Sequence, residues 1–287
     1  MSEVIFLSML ALIWIAFASI HDIRTRTVPN WISFSLVIFA MGFRFFYSLF
    51  NESGFAFFYQ GVIGLGIFSL TGLLLYYGHM FSAGDAKLMI SLGAVLPFSI
   101  NLITNLKIFS AFLFLFLISG ALYGLGWSFF LPLKNPKIFK KSFSMEFKRN
   151  IKVFYLMIFV SILFVLAGFF EIIFFYLGLL TFAFAYLYVF AKTIDNHLLV
   201  KEISTRELEE GDWIYRDLKE GKQTIKASWD GLNSREIKII QKKYKKIKIR
   251  EGIPFVPVFL ISFLLLLYFY FWNFQLVENL LRVLDKF

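Results

Sequence analysis

Long apolar runs separated by short polar segments follow one another along most of the chain. The runs lie at about residues 3–20, 31–50, 56–78, 84–104, 107–131, 152–169, 172–191 and 254–275. An α-helix rises 1.5 Å per residue, so about 20 apolar residues are needed to cross the hydrocarbon core of a bilayer. The pattern therefore predicts a membrane α-helical protein, a polytopic bundle of about eight spans and no fewer than six.

The sixth and seventh runs form one apolar stretch of about 40 residues. A single helix of that length would be about twice as long as the hydrocarbon core is thick. We therefore expect the chain to fold back near Gly168–Glu171 and to form two spans there.

Residues 193–252 have a different pattern, in which Glu-Gly and Asp-Gly pairs separate short alternating stretches typical of small strands. Asn233 or Ser234, followed by a basic amphipathic stretch, predicts an N-capped helix. We interpret the region as a small cytoplasmic α+β insertion; the alternative is a long basic loop lying on anionic lipid. The predicted domains are 1–192 (membrane domain), 193–252 (α+β domain) and 253–287 (final span and short external tail).

The composition agrees with a membrane protein, and the charge gives its orientation. Hydrophobic residues make up 59% of the 287 residues and charged residues 17%, against about 45–50% and 25% in soluble domains. If the N-terminus is external, the inner segments 21–30, 79–87, 132–152 and 192–253 hold 25 of the 29 basic residues. Because positive charge is retained on the cytoplasmic side, we expect a multi-pass cell-membrane protein with both termini outside. Arg44, near the outer end of span 2, is interpreted as extending outward.

Residue types also exclude several kinds of site. The chain has no cysteine and three scattered histidines, His21, His79 and His197. Disulfides, thiol catalysis and cysteine-ligated zinc are therefore excluded, and we expect no metal or other cofactor.

Two aspartates lie at the ends of spans, where an ionisable group is costly and usually functional. Asp22 ends span 1 and Asp85 begins span 4, so the topology places both at the cytoplasmic face. Two neighbouring carboxylates can share one proton, so that one activates water and the other polarises a carbonyl. Taken singly, Asp85 could be a helix cap, and Asp22 a loop charge paired with Arg24 or Arg26. Together they favour aspartic-protease chemistry.

The sequences around the two aspartates resemble a known family. Residues 22–30 read DIRTRTVPN and resemble the D-[LI]-x-x-x-x-[IV]-P-N element of type IV prepilin peptidases. Residues 82–88 read SAGDAKL and resemble the second element, G-x-G-D-x-K-[LM], of these membrane aspartic proteases, known as GxGD proteases. The resemblance covers about residues 1–130 and implies that Asp22 and Asp85 are the catalytic pair. It departs from the pattern at Ser82, where the family has glycine.

Several neighbours of the aspartates are expected to shape the substrate site. They are Ser82, Ala83, Gly84, Lys87, Pro29 and Asn30. Gly84 lets a substrate backbone approach, and Pro29 with Asn30 suits a rigid bend into span 2. Lys87 is expected either to pair with a carboxylate or substrate, or to extend from the apolar surface to water as an interfacial lysine.

The later part of the chain resembles one subgroup of these peptidases. The segments 210–212, 230–232 and 251–257 look like the C-terminal part of archaeal preflagellin peptidases. This implies an archaeal enzyme that removes a short basic leader from archaellin-like or pilin-like precursors. We expect no methyltransferase activity, because the paired cysteines of the bacterial methylating enzymes are missing.

Two alternatives stay open. A transporter or channel could use intramembrane carboxylates to bind ions, although no internal repeat is visible. A presenilin-like or signal-peptide-peptidase-like protease would share the second motif but not the first. The expected partners are precursor proteins and membrane lipids. The lysine-rich stretch 242–248 is interpreted as lipid contact, so no nucleic acid is expected.

Overall fold

A computed structural model describes residues 2–51, 54–220, 223–228 and 231–272. The chain divides into two compact units, one formed by residues 1–123 with 254–287 and one by residues 124–253. We call them unit 1 and unit 2. The tail predicted to be external lies outside the described residues, and the three predicted domain limits stay a prediction.

Unit 1 is a bundle of helices that carries both aspartates. Its helices are α1 (Ser2–Thr25), α2 (Asn30–Leu49), α3 (Ala56–Tyr77), α4 (Ala83–Gly93), the first part of α5 (Leu102–Lys134), and α10 (Val256–Trp272). Helix α1 packs along α10, and α4 packs between α2 and α3. Many large apolar side chains point away from the bundle and are exposed, as expected for a surface that faces lipid.

The span count agrees with a polytopic membrane protein. Within the described part of the chain, α1, α2, α3, α5 and the helical segment Ile172–Leu198 are long and apolar enough to cross a membrane. A sixth span results if α6 and α7, which are bent by 75° at their junction, are counted as one. The apolar helix α10 has 17 residues.

The predicted continuous span 84–104 is wrong. Helix α4 has only 11 residues and is therefore about 16 Å long, and the chain is non-helical at residues 94–101. Residues 91–98 are nevertheless all buried. A hydropathy pattern cannot distinguish a helix from a buried irregular segment, and here the irregular segment has its own hydrogen-bond donor.

That donor is Arg44, which is fully buried and does not extend outward as expected. Its guanidinium donates to the carbonyl oxygens of Ala94, Pro97, Phe57 and Val95, at 2.7, 2.6, 3.0 and 3.1 Å. It also lies 4.2 Å from the centre of the Phe57 ring. Irregular backbone at membrane depth is tolerated only where protein groups satisfy it. Arg44 supplies those groups.

Unit 2 contains the helical hairpin and the small α+β region. Its helices are the rest of α5, α6 (Pro136–Arg149), α7 (Ile151–Ala167) and α8 (Ile172–Thr193), followed by a π-helical turn (Ile194–Leu198). The chain reverses between α7 and α8 at residues 168–171, which confirms the predicted fold-back. Gly168 is needed there, because a Cβ would lie 2.7 Å from Phe175 Cβ.

The α+β region follows directly. Its elements are β1 (Val200–Ser204), a 3-10 turn (Thr205–Glu207), β2 (Trp213–Ile214), β3 (Leu218–Glu220), β4 (Gln223–Ile225), α9 (Ser234–Lys243) and β5 (Lys246–Arg250). Strand β5 lies between β1 and β2, antiparallel to both, with Ile203 opposite Ile247 and Ile214 opposite Ile249. These isoleucines form a separate apolar core with Ile237 and Ile240 of α9. The predicted cap of α9 is confirmed, because the Asn233 side chain accepts from the amide of Glu236 at 3.0 Å.

Candidate active site

Asp22 lies in the last turn of α1 and is only 6% exposed. Its Oδ2 accepts a hydrogen bond from the backbone amide of Val256, the first residue of α10, at 3.0 Å. The Asp22 carbonyl oxygen accepts from the amide of Arg26 at 2.9 Å, and Arg26 has a positive φ of 60° as the chain leaves the helix. Asp22 is therefore a buried carboxylate bound to α10, and the loop-charge interpretation is wrong.

The turn after Asp22 is held by a polar cluster. His21 Nδ1 lies 2.8 Å from both the Thr27 carbonyl oxygen and the Thr25 hydroxyl. Pro29 then occupies the N-cap position of α2, with φ −60° and ψ 136°, and Asn30 begins that helix. Proline fixes φ near this value, which is a physical reason for the sharp entry into α2.

Asp85 is the third residue of α4 and is 7% exposed. The amide and the hydroxyl of Ser82 donate to its Oδ2 at 3.1 and 2.7 Å, while its own amide donates to Ser82 Oγ at 3.3 Å. This reciprocal arrangement is a capping box. The capping interpretation of Asp85 is therefore correct in geometry. It does not exclude chemistry, because both hydrogen bonds to the carboxylate go to one oxygen.

The structure brings the two aspartate motifs into contact. Lys87 Nζ donates to Asn30 Oδ1 at 2.7 Å and so joins the first turns of α4 to the first residue of α2. Lys87 thus pairs with an amide and not with either catalytic candidate. A Cβ on Gly84 would lie 3.1 Å from Val28 Cβ, so the small residue permits close approach of the two segments.

Both carboxylates are buried, that of Asp22 at the end of α1 and that of Asp85 at the start of α4. Next to them, Ser82 and Ala83 are exposed and Gly84 is partly exposed, so the start of α4 presents small residues at the surface. Among the described residues, no group of three or more His, Asp or Glu side chains could hold a metal ion. The arrangement offers two carboxyl groups that can exchange roles as base and acid.

A comparison with known protein families finds a match that contains both aspartates. Residues 9–128 match the model of the type IV leader peptidase family. This region is similar to that family, and the match covers less than half of the 287 residues. The matched region contains both aspartate motifs. It confirms the resemblance to type IV prepilin peptidases that these motifs indicated. No curated protein and no solved structure matched the chain.

Two features of the candidate site do not follow from the sequence pattern. One is the amide of Val256, which lies outside the matched region and binds Asp22. The segment 251–257 did stand out in the sequence, but only as a subfamily resemblance. The other is the role of Ser82, which was expected to shape the substrate site and whose hydroxyl donates directly to the Asp85 carboxylate at 2.7 Å.

Proposed function

We propose that this leader peptidase is an aspartic endopeptidase that removes the short basic leader from archaellin-like or type IV pilin-like precursors. The observation that carries the proposal is the pair Asp22 and Asp85, two buried carboxylates on different helices, in motifs that a hydrogen bond between Lys87 and Asn30 joins. The family supplies the peptidase activity. The choice of precursor rests on the resemblance of residues 251–257 to preflagellin peptidases.

In the proposed mechanism the ionised carboxylate takes a proton from water while the water oxygen attacks the carbonyl carbon of the scissile bond. The protonated carboxyl group donates its proton to the carbonyl oxygen. Collapse of the resulting gem-diol breaks the C–N bond, and the leaving amine takes a proton from the carboxyl group that had acted as base. The other carboxylate takes a proton from one hydroxyl of the gem-diol as the product carbonyl forms, so both groups return to their starting states. Each proton is accounted for, and the step requires no nucleophilic side chain.

The proposal also places the site at the cytoplasmic face. The support is the charge distribution, since the helix ends that carry Asp22 and Asp85 lie in the segments 21–30 and 79–87, which are cytoplasmic in the predicted topology. A precursor with a basic leader at that face and an apolar helix in the bilayer would present its cleavage site at the depth of the two aspartates. The transporter alternative is not supported by the family match.

The proposal is tested by co-expressing the protein with an archaellin-type precursor and determining the precursor's N-terminus by mass spectrometry. Asp22→Asn and Asp85→Asn should each lower processing about 100-fold or more, because each removes one proton-transfer group. Glu171→Gln, at the exposed turn between α7 and α8, is the matched control and should process normally. Full processing by both aspartate variants would refute the proposal.

A further inference from the structure

The entry of α10 contacts Asp22 and, through Phe255, the ring of Phe81, which directly precedes the second aspartate motif. The amide of Val256 donates to Asp22 Oδ2 at 3.0 Å. The first N–H groups of a helix have no partner within it, and the helix dipole favours a negative charge there. Asp22 is thus held by a segment 234 residues away in the chain.

A cluster of four phenylalanines links the same segment to Asp85. The rings of Phe255 and Phe259 lie 6.2 and 6.0 Å from the ring of Phe81, and 5.7 and 4.6 Å from that of Phe116. Phe81 directly precedes Ser82, which caps α4 and binds Asp85. Gly120 leaves room for the cluster, because a Cβ there would lie 3.1 Å from Phe255 Cζ.

The segment is itself rigidly anchored. The side chains of Val256, Val258, Phe259 and Phe263 are 0% exposed. The amide of Val258 donates to the Phe255 carbonyl oxygen at 3.0 Å and closes the first turn of α10. A buried helix end of this kind fixes the direction of its amide donors.

We propose that residues 255–259, the α10 entry, form a positioning element of the active site. The Val256 amide orients the Asp22 carboxylate, and the phenylalanine cluster fixes the segment that carries Asp85. The α10 entry thereby sets the relation of the two carboxylates, although it lies outside the family match. This inference rests on the proposed peptidase function.

The test removes one N–H group and keeps the fold. Proline is well tolerated at the first position of a helix, so Val256→Pro deletes the donor in a compatible conformation. Val256→Ala, the matched control, shortens the same buried side chain and keeps the donor. With the full-length protein and an archaellin-type precursor, kcat of Val256→Pro should be about 10- to 100-fold below that of Val256→Ala. KM should be equal in the two variants, within about twofold of each other, since the amide orients Asp22 and does not bind substrate.

A backbone ester at position 256, made by incorporating the hydroxy analogue of valine, removes the same N–H without changing the side chain. This ester variant tests the role of the N–H group if Val256→Pro does not fold. Equal kcat for the ester and the parent, while Asp22→Asn is inactive, would overturn the inference and leave the proposed function intact. A loss confined to KM, or matched by an equal loss of folded protein, would also overturn it. Activity in Asp22→Asn would instead refute the proposed function.

Discussion

Replacing Arg44 should destabilise unit 1 more than replacing any exposed arginine does. Arg44→Met keeps the unbranched apolar stem in a shorter side chain and removes the donors to four buried carbonyl oxygens. A buried acceptor left without a partner costs about 1–3 kcal/mol, so four cost about 4–12 kcal/mol. Part of this is offset, because the variant no longer buries a charge, which itself costs several kcal/mol. We expect a net loss of about 4 kcal/mol.

Arg44→Lys tests whether the forked geometry matters. An ammonium has three donors at one point, whereas the guanidinium has five in a planar fork. Lysine therefore leaves at least one of the four carbonyl oxygens without a donor, and the expected loss is about 1–3 kcal/mol. Gly61→Ala should have a related effect, because a Cβ would lie 2.6 Å from Arg44 Cδ and the arginine cannot move without losing its hydrogen bonds.

The assay is reversible unfolding in mixed micelles by a denaturing detergent, followed by tryptophan fluorescence. Arg24→Met, an exposed arginine in the same unit, is the control and should change stability by less than about 1 kcal/mol. If Arg44→Met were no less stable than Arg24→Met, the three hydrogen bonds to Ala94, Val95 and Pro97 would not hold the segment after α4, and the reasoning would fail.

Two further predictions concern single polar groups. Ser82→Ala should cost about 1 kcal/mol of unit 1 stability in the same unfolding assay, and Ser82→Gly only a few tenths, because glycine is a far better N-cap than alanine; equal losses would contradict the capping argument. Burial, together with the negative charges of Glu209 and Glu251, raises the pKa of Asp212 in the α+β region. A raised folded-state pKa means that stability is lost as pH rises through it, so Asp212→Asn should stabilise this region at about pH 7 but not at about pH 3, where Asp212 is protonated in both states. Amide hydrogen exchange at β2 measures the stability of the region at both pH values. If Asp212→Asn stabilised the region only at low pH, the prediction would be contradicted.

Much of the architecture follows from the sequence, because burial in lipid leaves a strong apolar signature. The apolar runs place most helices within a few residues, and the length argument places the reversal at 168–171. Asn233 predicts the start of α9, since its side chain satisfies amides that the helix cannot. These features depend on local chemistry that a short window of sequence contains.

The failures concern polar groups whose partners are distant in the chain. The apolar character of residues 84–104 says that they are buried, but it does not say that Arg44 replaces the helical hydrogen bonds after α4. The position of Arg44 near a span end suggested that it extends to water, whereas its partners lie 13 to 53 residues away, inside the protein. The sequence shows that an arginine is present at position 44, but it does not show whether its guanidinium points to water or into the protein.

The two aspartates also differ in how far along the chain their hydrogen-bond partners lie. This difference affects how the candidate active site is assembled. Asp85 is held by Ser82, three residues earlier, so its conformation forms with α4 itself. Asp22 is held by Val256, which the chain reaches only after all of unit 2. A fragment limited to the matched residues 9–128 would therefore contain both motifs, together with the local cap of Asp85, and would lack the donor that orients Asp22. In the proposed mechanism the two motifs supply the carboxyl groups, and the packing of α10 on α1 supplies the donor to Asp22.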